Sequence, residues 1–176
     1  MLGACDKEVP YYQLTAEQRA WAAPYKPDTE WRFRSSRGAE RAYRVQLFSD
    51  KKEKMPGPNG KPESYTDIVS ATFYRPDSIT KPSGLFTLAA PSGPKAVPLA
   101  RVSLAMGFME LPIQAIAAQQ PLPAGYELLP QLTTSTHTYS NVLHYRYTQP
   151  VVGELFYSQG QGVVRFVEKA IVWDRL

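Results

Sequence analysis

Along this chain, apolar and polar residues alternate over short runs far more often than they recur at helical spacing. In Trp31-Arg-Phe-Arg34 the aromatics fall on one face and the arginines on the other. Arg37-Gly-Ala-Glu40 supplies a turn, and residues 42–48 return as a second run, so the two read as a hairpin. Residues 64–74 alternate in the same way, with Ile68, Ser70, Thr72 and Tyr74 opposite Val69, Ala71 and Phe73. Further strands are predicted over residues 85–88, 97–106 and 125–129. Residues 51–62 are polar and carry Gly and Pro, which predicts a solvated connecting loop with Pro58-Asn-Gly60 as its turn.

The densest strand signal lies in residues 139–176. There Val142–Thr148, Leu155–Ser158, Val163–Val167 and Ile171–Leu176 are rich in β-branched and aromatic residues and separated by turn formers. Gly160-Gln-Gly162 reads as a bend in this sheet, because glycine tolerates a collision-prone or positive-φ position; it is too short, and lacks the following helix, for a phosphate loop. Helical signals are brief. Thr15 caps a short helix through Trp21, with Gln18 at the capping-box position and Pro24 limiting its extension. Residues 106–118 are mixed, and Pro112 suits a first helical turn, with Ile113, Ile116 and Ala117 on one face.

These elements predict a mainly β protein, an antiparallel sheet forming a barrel-like or sandwich domain with one or two short helices. One domain over residues 14–176, after a tether over residues 1–13, accounts for the whole pattern. The 176 residues, 12% of them aromatic, suffice for a core that buries about 70% of the unfolded chain's surface. The sixteen prolines fall mostly between the apolar runs, where they cost no ladder hydrogen bonds.

Composition excludes several functions. A net charge of +4 is modest, and the arginines alternate with aromatics instead of forming a stripe, so no nucleic-acid partner is expected. One cysteine permits no internal disulfide, and with only His137 and His144 the chain has no Cys/His metal spacing. No metal or cofactor is expected. Nucleophilic catalysis needs an activated hydroxyl or thiol beside a base, and no Gly-x-Ser-x-Gly elbow occurs. His144 sits in an alternating strand beside Val142 and Arg146, facing solvent or a polar cleft. Glu127 with Glu154 or Glu168 makes a formal carboxylate pair for glycoside chemistry, but the sequence does not bring them within reach. No catalytic residue is assigned, and the chain is not read as an enzyme.

The amino terminus carries the one residue with a functional expectation. Leu2-Gly-Ala-Cys5 resembles a bacterial lipobox, in which an aliphatic and two small residues precede the cysteine that is lipidated. The polar Asp6-Lys7-Glu8 follows as a tether. The order Tyr139-Ser-Asn-Val142, then Phe156-Tyr-Ser158, Gly160-Gln-Gly-Val-Val-Arg-Phe166 and Trp173-Asp-Arg-Leu176 is similar to the ending of a group of small lipoproteins of diderm bacteria. In that group a lipobox cysteine, a tether and a short helix precede an all-β domain, and no activity is assigned. The likeness frames both ends of the chain and is thin over residues 51–130.

The resemblance implies export by a signal peptide and a cell-envelope location, with Cys5 as lipidation site and a bacterial membrane as first partner. Two or three acyl chains, at about 0.8 kcal/mol per buried methylene, would hold the domain there. The most apolar window, residues 97–118, contains Arg101, Glu110 and two prolines and does not suit a spanning helix. The expected function is a non-catalytic binding or accessory domain for a protein or polysaccharide partner. The alternative is a lipocalin-like carrier that encloses an apolar ligand, lined by residues such as Met106, Phe108 and Ile116.

Overall fold

The computed structural model of the chain describes residues 8–57, 62–77, 82–93, 96–149 and 152–176. Among them twelve strands form one sheet. The amino-terminal strands are β1 (Tyr11–Tyr12), β2 (Glu30–Ser35), β3 (Glu40–Pro56), β4 (Pro62–Tyr74), β5 (Gly84–Ala89), β6 (Leu99–Leu104) and β7 (Gly107–Glu110). The others are β8 (Tyr126–Thr133), β9 (Thr138–Tyr147), β10 (Gly153–Ser158), β11 (Gly162–Glu168) and β12 (Ile171–Arg175). Helix α1 (Ala16–Arg19) runs on into a 3-10 turn, and α2 (Ile113–Ala117) follows β7.

The sheet is two meanders joined at their outer ends. Its order is β7-β6-β5-β4-β3-β2-β12-β11-β10-β9-β8, antiparallel throughout, and β1 pairs in parallel with β4. The two meanders meet where β12 lies beside β2, with Trp173 opposite Ser35 and Arg175 opposite Phe33. Right-handed twist curls the sheet into a half-barrel. The curl brings the far edges together without a shared ladder. The Tyr126 hydroxyl on β8 donates to the Glu110 carbonyl on β7 at 2.5 Å. Burial and the neighbouring Tyr145 push that hydroxyl's pKa up to about 12, so it keeps the proton it donates. Gly107 on β7 sits so near Leu155 and the Tyr147 hydroxyl that an added β-carbon would lie 3.0 Å from both. A single curled sheet of this kind is the barrel-like of the two expected forms.

The concave side is filled. Tyr25 stacks on Phe86 at 3.9 Å between ring centroids, Trp31 lies 5.0 Å from Phe73, and Phe33 meets Phe166 at 5.1 Å. The alternation predicted for residues 64–74 holds: Val69, Ala71 and Phe73 are buried, while Ile68, Ser70, Thr72 and Tyr74 are partly exposed. The capping box forms as well, with Gln18 N donating to Thr15 Oγ1 at 3.2 Å and Thr15 N to Gln18 Oε1 at 2.9 Å. Leu14 and Trp21 are buried and pin this helix to the sheet.

Four boundaries differ from the sequence reading. The predicted loop over residues 51–62 is strand on both sides, since β3 runs to Pro56 and β4 starts at Pro62; the expected Pro58-Asn-Gly60 turn lies outside the described residues. Past Arg44, β3 has lost β2 as a neighbour and is an edge strand, where Lys51, Lys52 and Lys54 discourage pairing with another chain. The side chains of an edge strand need not alternate apolar and polar, so the pattern looked like a loop. Second, β8 extends through Pro130 to Thr133, past the predicted end at residue 129, on the sheet's other edge, where proline is tolerated.

Third, residues 106–118 divide into strand β7 and helix α2, separated by Leu111 and Pro112. Fourth, Gly160-Gln-Gly162 is the hairpin turn between β10 and β11, not a bend within a strand. Gly160 and Gly162 both have φ above +80°, and a β-carbon on Gly162 would lie 2.7 Å from the Trp31 ring. Tyr11 and Tyr12, at the end of the expected tether, already belong to the sheet through Tyr65 and Thr66.

Candidate functional site

Cys5 lies outside the described residues, so the site begins where the chain enters the body. Six residues after Cys5, Tyr11 starts β1, and the next turn of chain is fastened to β4 through one carboxylate. Asp67 is 4% exposed and accepts from the Tyr11 hydroxyl at 2.6 Å, the Leu14 amide at 3.1 Å and Arg19 Nη2 at 2.7 Å. Arg19 also pairs with Asp50 on β3 at 2.6 Å, so a single guanidinium links α1 to two strands. Burial alone would raise the Asp67 carboxyl. The hydrogen bonds from Tyr11, Leu14 and Arg19, with the Arg19 charge, hold it below the usual carboxylate value. Lys52 extends the same fastening, with its ammonium 4.1 Å from the Tyr11 ring and 4.3 Å from that of Tyr65.

Sequence reasoning did not single out Asp67, although a signal existed. Asp67 is in phase with Val69, Ala71 and Phe73, so an ionisable residue stood on the buried face of a predicted strand. Such a group is kept only when paired and hydrogen-bonded.

Between α1 and α2 a groove of about 550 Å³ opens, lined by Gln18, Trp21, Pro98, Ile113 and Ile116 among others. Of the three residues expected to line a carrier cavity, Ile116 reaches this groove. Met106 and Phe108 are exposed and line neither it nor the core. The lumen that such a cavity would occupy holds Tyr25, Trp31, Phe73 and Phe86, none more than 1% exposed.

Of the three acids named from the sequence as formal carboxylate pairs, two come to one place. Cross-strand register puts Glu127 of β8 and Glu154 of β10 on either side of His144 of β9. His144 Nε2 is 3.0 Å from Glu154 and Nδ1 is 3.4 Å from Glu127, while its ring stacks on Phe156 at 4.3 Å. Glu154 also accepts from Arg146 at 3.2 Å. Glu168 is elsewhere, paired with Arg41 at 2.7 Å. Among the described residues His144 has carboxylates for partners and no hydroxyl, on the face opposite the main core; His137 contacts the Thr136 hydroxyl at 2.9 Å. Among the described residues, no group of His, Cys, Asp and Glu is placed to hold a metal ion, and no helix is long and apolar enough to cross a membrane.

A scan against protein-family models and searches of curated proteins and of solved structures find no match to this chain.

Proposed function

We propose that this chain is a cell-envelope lipoprotein, a non-catalytic binding or accessory domain held at a bacterial membrane by acylated Cys5. One observation carries the reading. The chain's single cysteine ends the lipobox-like Leu2-Gly-Ala-Cys5 and stands six residues before a strand that Asp67 fastens to β4. Six residues span at most about 20 Å, so an anchor at Cys5 would hold the body close to the bilayer surface. Tension on that anchor would pass through Tyr11, Leu14 and Arg19 into β4.

The test is expression behind a lipoprotein signal peptide, followed by fractionation and mass spectrometry of the mature chain. Acylated Cys5 in the membrane fraction is the expected result, and Cys5→Ser should release the domain without changing its unfolding temperature. An unmodified thiol in the soluble fraction overturns the reading.

The groove between α1 and α2 favours a second reading, a carrier of an apolar ligand, because Trp21, Ile113 and Ile116 give it an apolar wall. A fluorescent fatty acid should then bind the chain saturably and lose affinity in Ile116→Arg; no saturable binding removes this alternative.

A further inference from the structure

A second cleft, also of about 550 Å³, lies where three segments converge. They are the tip of the β8–β9 hairpin, the β10–β11 turn and the end of β12. The tip is tied down there, since the Thr136 hydroxyl donates to the Arg175 carbonyl at 3.1 Å. The lining is polar: His137, Thr138, Ser140, Ser158, Gln161 and Arg175 present their side chains or backbone to it.

Arg175 is the unusual member. Other arginines of the sheet have acidic partners: Arg165 meets Asp174, Arg41 meets Glu168 and Arg146 meets Glu154. Arg175 is partly buried, lies 4.8 Å over the Trp31 ring and donates from Nη1 to the Gln161 carbonyl. Among the described residues it has no carboxylate partner. Burial pulls its pKa below the ordinary arginine value, and the neighbouring Tyr139 and Tyr25 phenols offset that only in part. A cation withdrawn from water in this way is stabilised by an anion brought in from outside. The guanidinium fork suits an oxyanion with two coplanar oxygens, and its remaining donors are free to meet one.

We propose that this cleft binds a carboxylate-bearing, hydroxyl-rich ligand such as a uronic acid residue, with Arg175 taking the carboxylate. The charge count sets the class. Among the lining side chains of the described residues, Arg175 alone carries a permanent charge, which matches a singly charged carboxylate better than a dianionic phosphate. The hydroxyls of Thr138, Ser140 and Ser158 and the Gln161 amide can donate to and accept from sugar hydroxyls, whereas a fully ionised inorganic anion would use only their donors. This assigns a ligand class to the binding domain of the preceding reading and depends on nothing at Cys5. Anchoring and ligand recognition therefore fail separately, the first in fractionation and the second in titration.

The full chain carrying Cys5→Ser would be titrated with galacturonate and short oligogalacturonides, with galactose as the uncharged counterpart and inorganic phosphate as the competing anion. Calorimetry would give affinities, and backbone amide shifts would locate the site. Saturable shifts at His137, Ser140, Ser158 and Gln161 are expected, with galactose weaker by about tenfold or more, the loss of one charge-assisted pair. Arg175→Gln should cost at least about tenfold and Ser140→Ala about threefold, a neutral hydrogen bond. Because Arg175 also packs on Trp31, the unfolding temperature of Arg175→Gln is measured first. If that variant does not fold, the exposed Ser140→Ala decides, and its unchanged affinity overturns the proposal. So do an absence of saturable shifts with any uronate, phosphate binding as tightly as galacturonate, or a folded Arg175→Gln with wild-type affinity.

Discussion

Strands β9–β11 and the outer part of the β3–β4 hairpin show two ways of holding an antiparallel ladder. In β9–β11 both faces of the sheet are covered. Leu143, Leu155, Tyr157, Val163 and Phe166 join the main core, while Val142, Phe156 and Val164 join Leu132 and Tyr139 in a second cluster on the opposite face. A bulge after Phe156 lets Val164 and Arg165 both face that second side before Phe166 turns back inward. The β3–β4 hairpin bulges too, between Val45 and Leu47, but with the opposite result. Beyond the bulge Leu47 is 60% exposed, and the rest of β3 packs no buried side chain. Its attachments include backbone pairs to β4, the Arg19 bridge to Asp50 and Asp67, and Lys52 against two tyrosine rings.

The contrast is between burial and charge. The apolar packing of β9–β11 depends little on salt or pH, whereas the amino-terminal fastening is electrostatic and responds to both. That difference suits the proposed roles: the half covered on both faces presents the Arg175 cleft, and the charged half receives the pull of the anchor.

The comparison breaks most readily in the core. Phe166→Ala removes a ring that packs on Phe33, Tyr43 and Trp173, and should cost about 4 kcal/mol in urea-unfolding measurements. If β9–β11 are held from both sides, Phe156→Ala on the opposite face should cost about 3 kcal/mol, although the main core is untouched. A loss below about 1 kcal/mol would show that the second cluster only decorates the sheet.

The charged half gives smaller, condition-dependent effects. Asp67→Asn should cost about 2 kcal/mol at neutral pH, since hydrogen bonds from a cation and a buried amide are weakened together. Its hydrogen-exchange signature should be confined to residues 11–22 and their β4 partners. The sign of the pH dependence follows from the depressed Asp67 pKa. The contribution is fully present above the ordinary carboxylate value and is lost as pH falls through the lower, folded value. The wild-type chain should therefore lose stability in that acid range more steeply than Asp67→Asn, and equal slopes would remove Asp67 from the account. Least of all, Lys52→Ala should cost about 0.5 kcal/mol and be further masked by salt, as an exposed cation–aromatic contact would be.

Much of the β half was legible because period-two alternation reports a strand with one buried face. Trp31 and Phe33, the Val69–Phe73 series and the four carboxy-terminal runs all follow that rule. The capping box of Thr15 and Gln18 was equally local. Residues 51–56 were not legible, since an edge strand is specified by its backbone pairing and not by alternation. Glu127 with Glu154 was one carboxylate pairing among many, and the meeting of both with His144 was not foreseen, because cross-strand register decides which side chains meet.

The sequence alone determined that this protein would be built from short antiparallel strands around aromatic residues, with turn formers between them. Those are properties of composition and near-neighbour spacing. The tertiary structure decided that β12 would lie beside β2, that the lumen would be filled, and that Asp67 and Arg175 would matter. Each of these depends on which distant segments come to share one low-dielectric space. An acid or a cation becomes exceptional only when water has been removed from around it, and that removal is the work of residues far away in the chain.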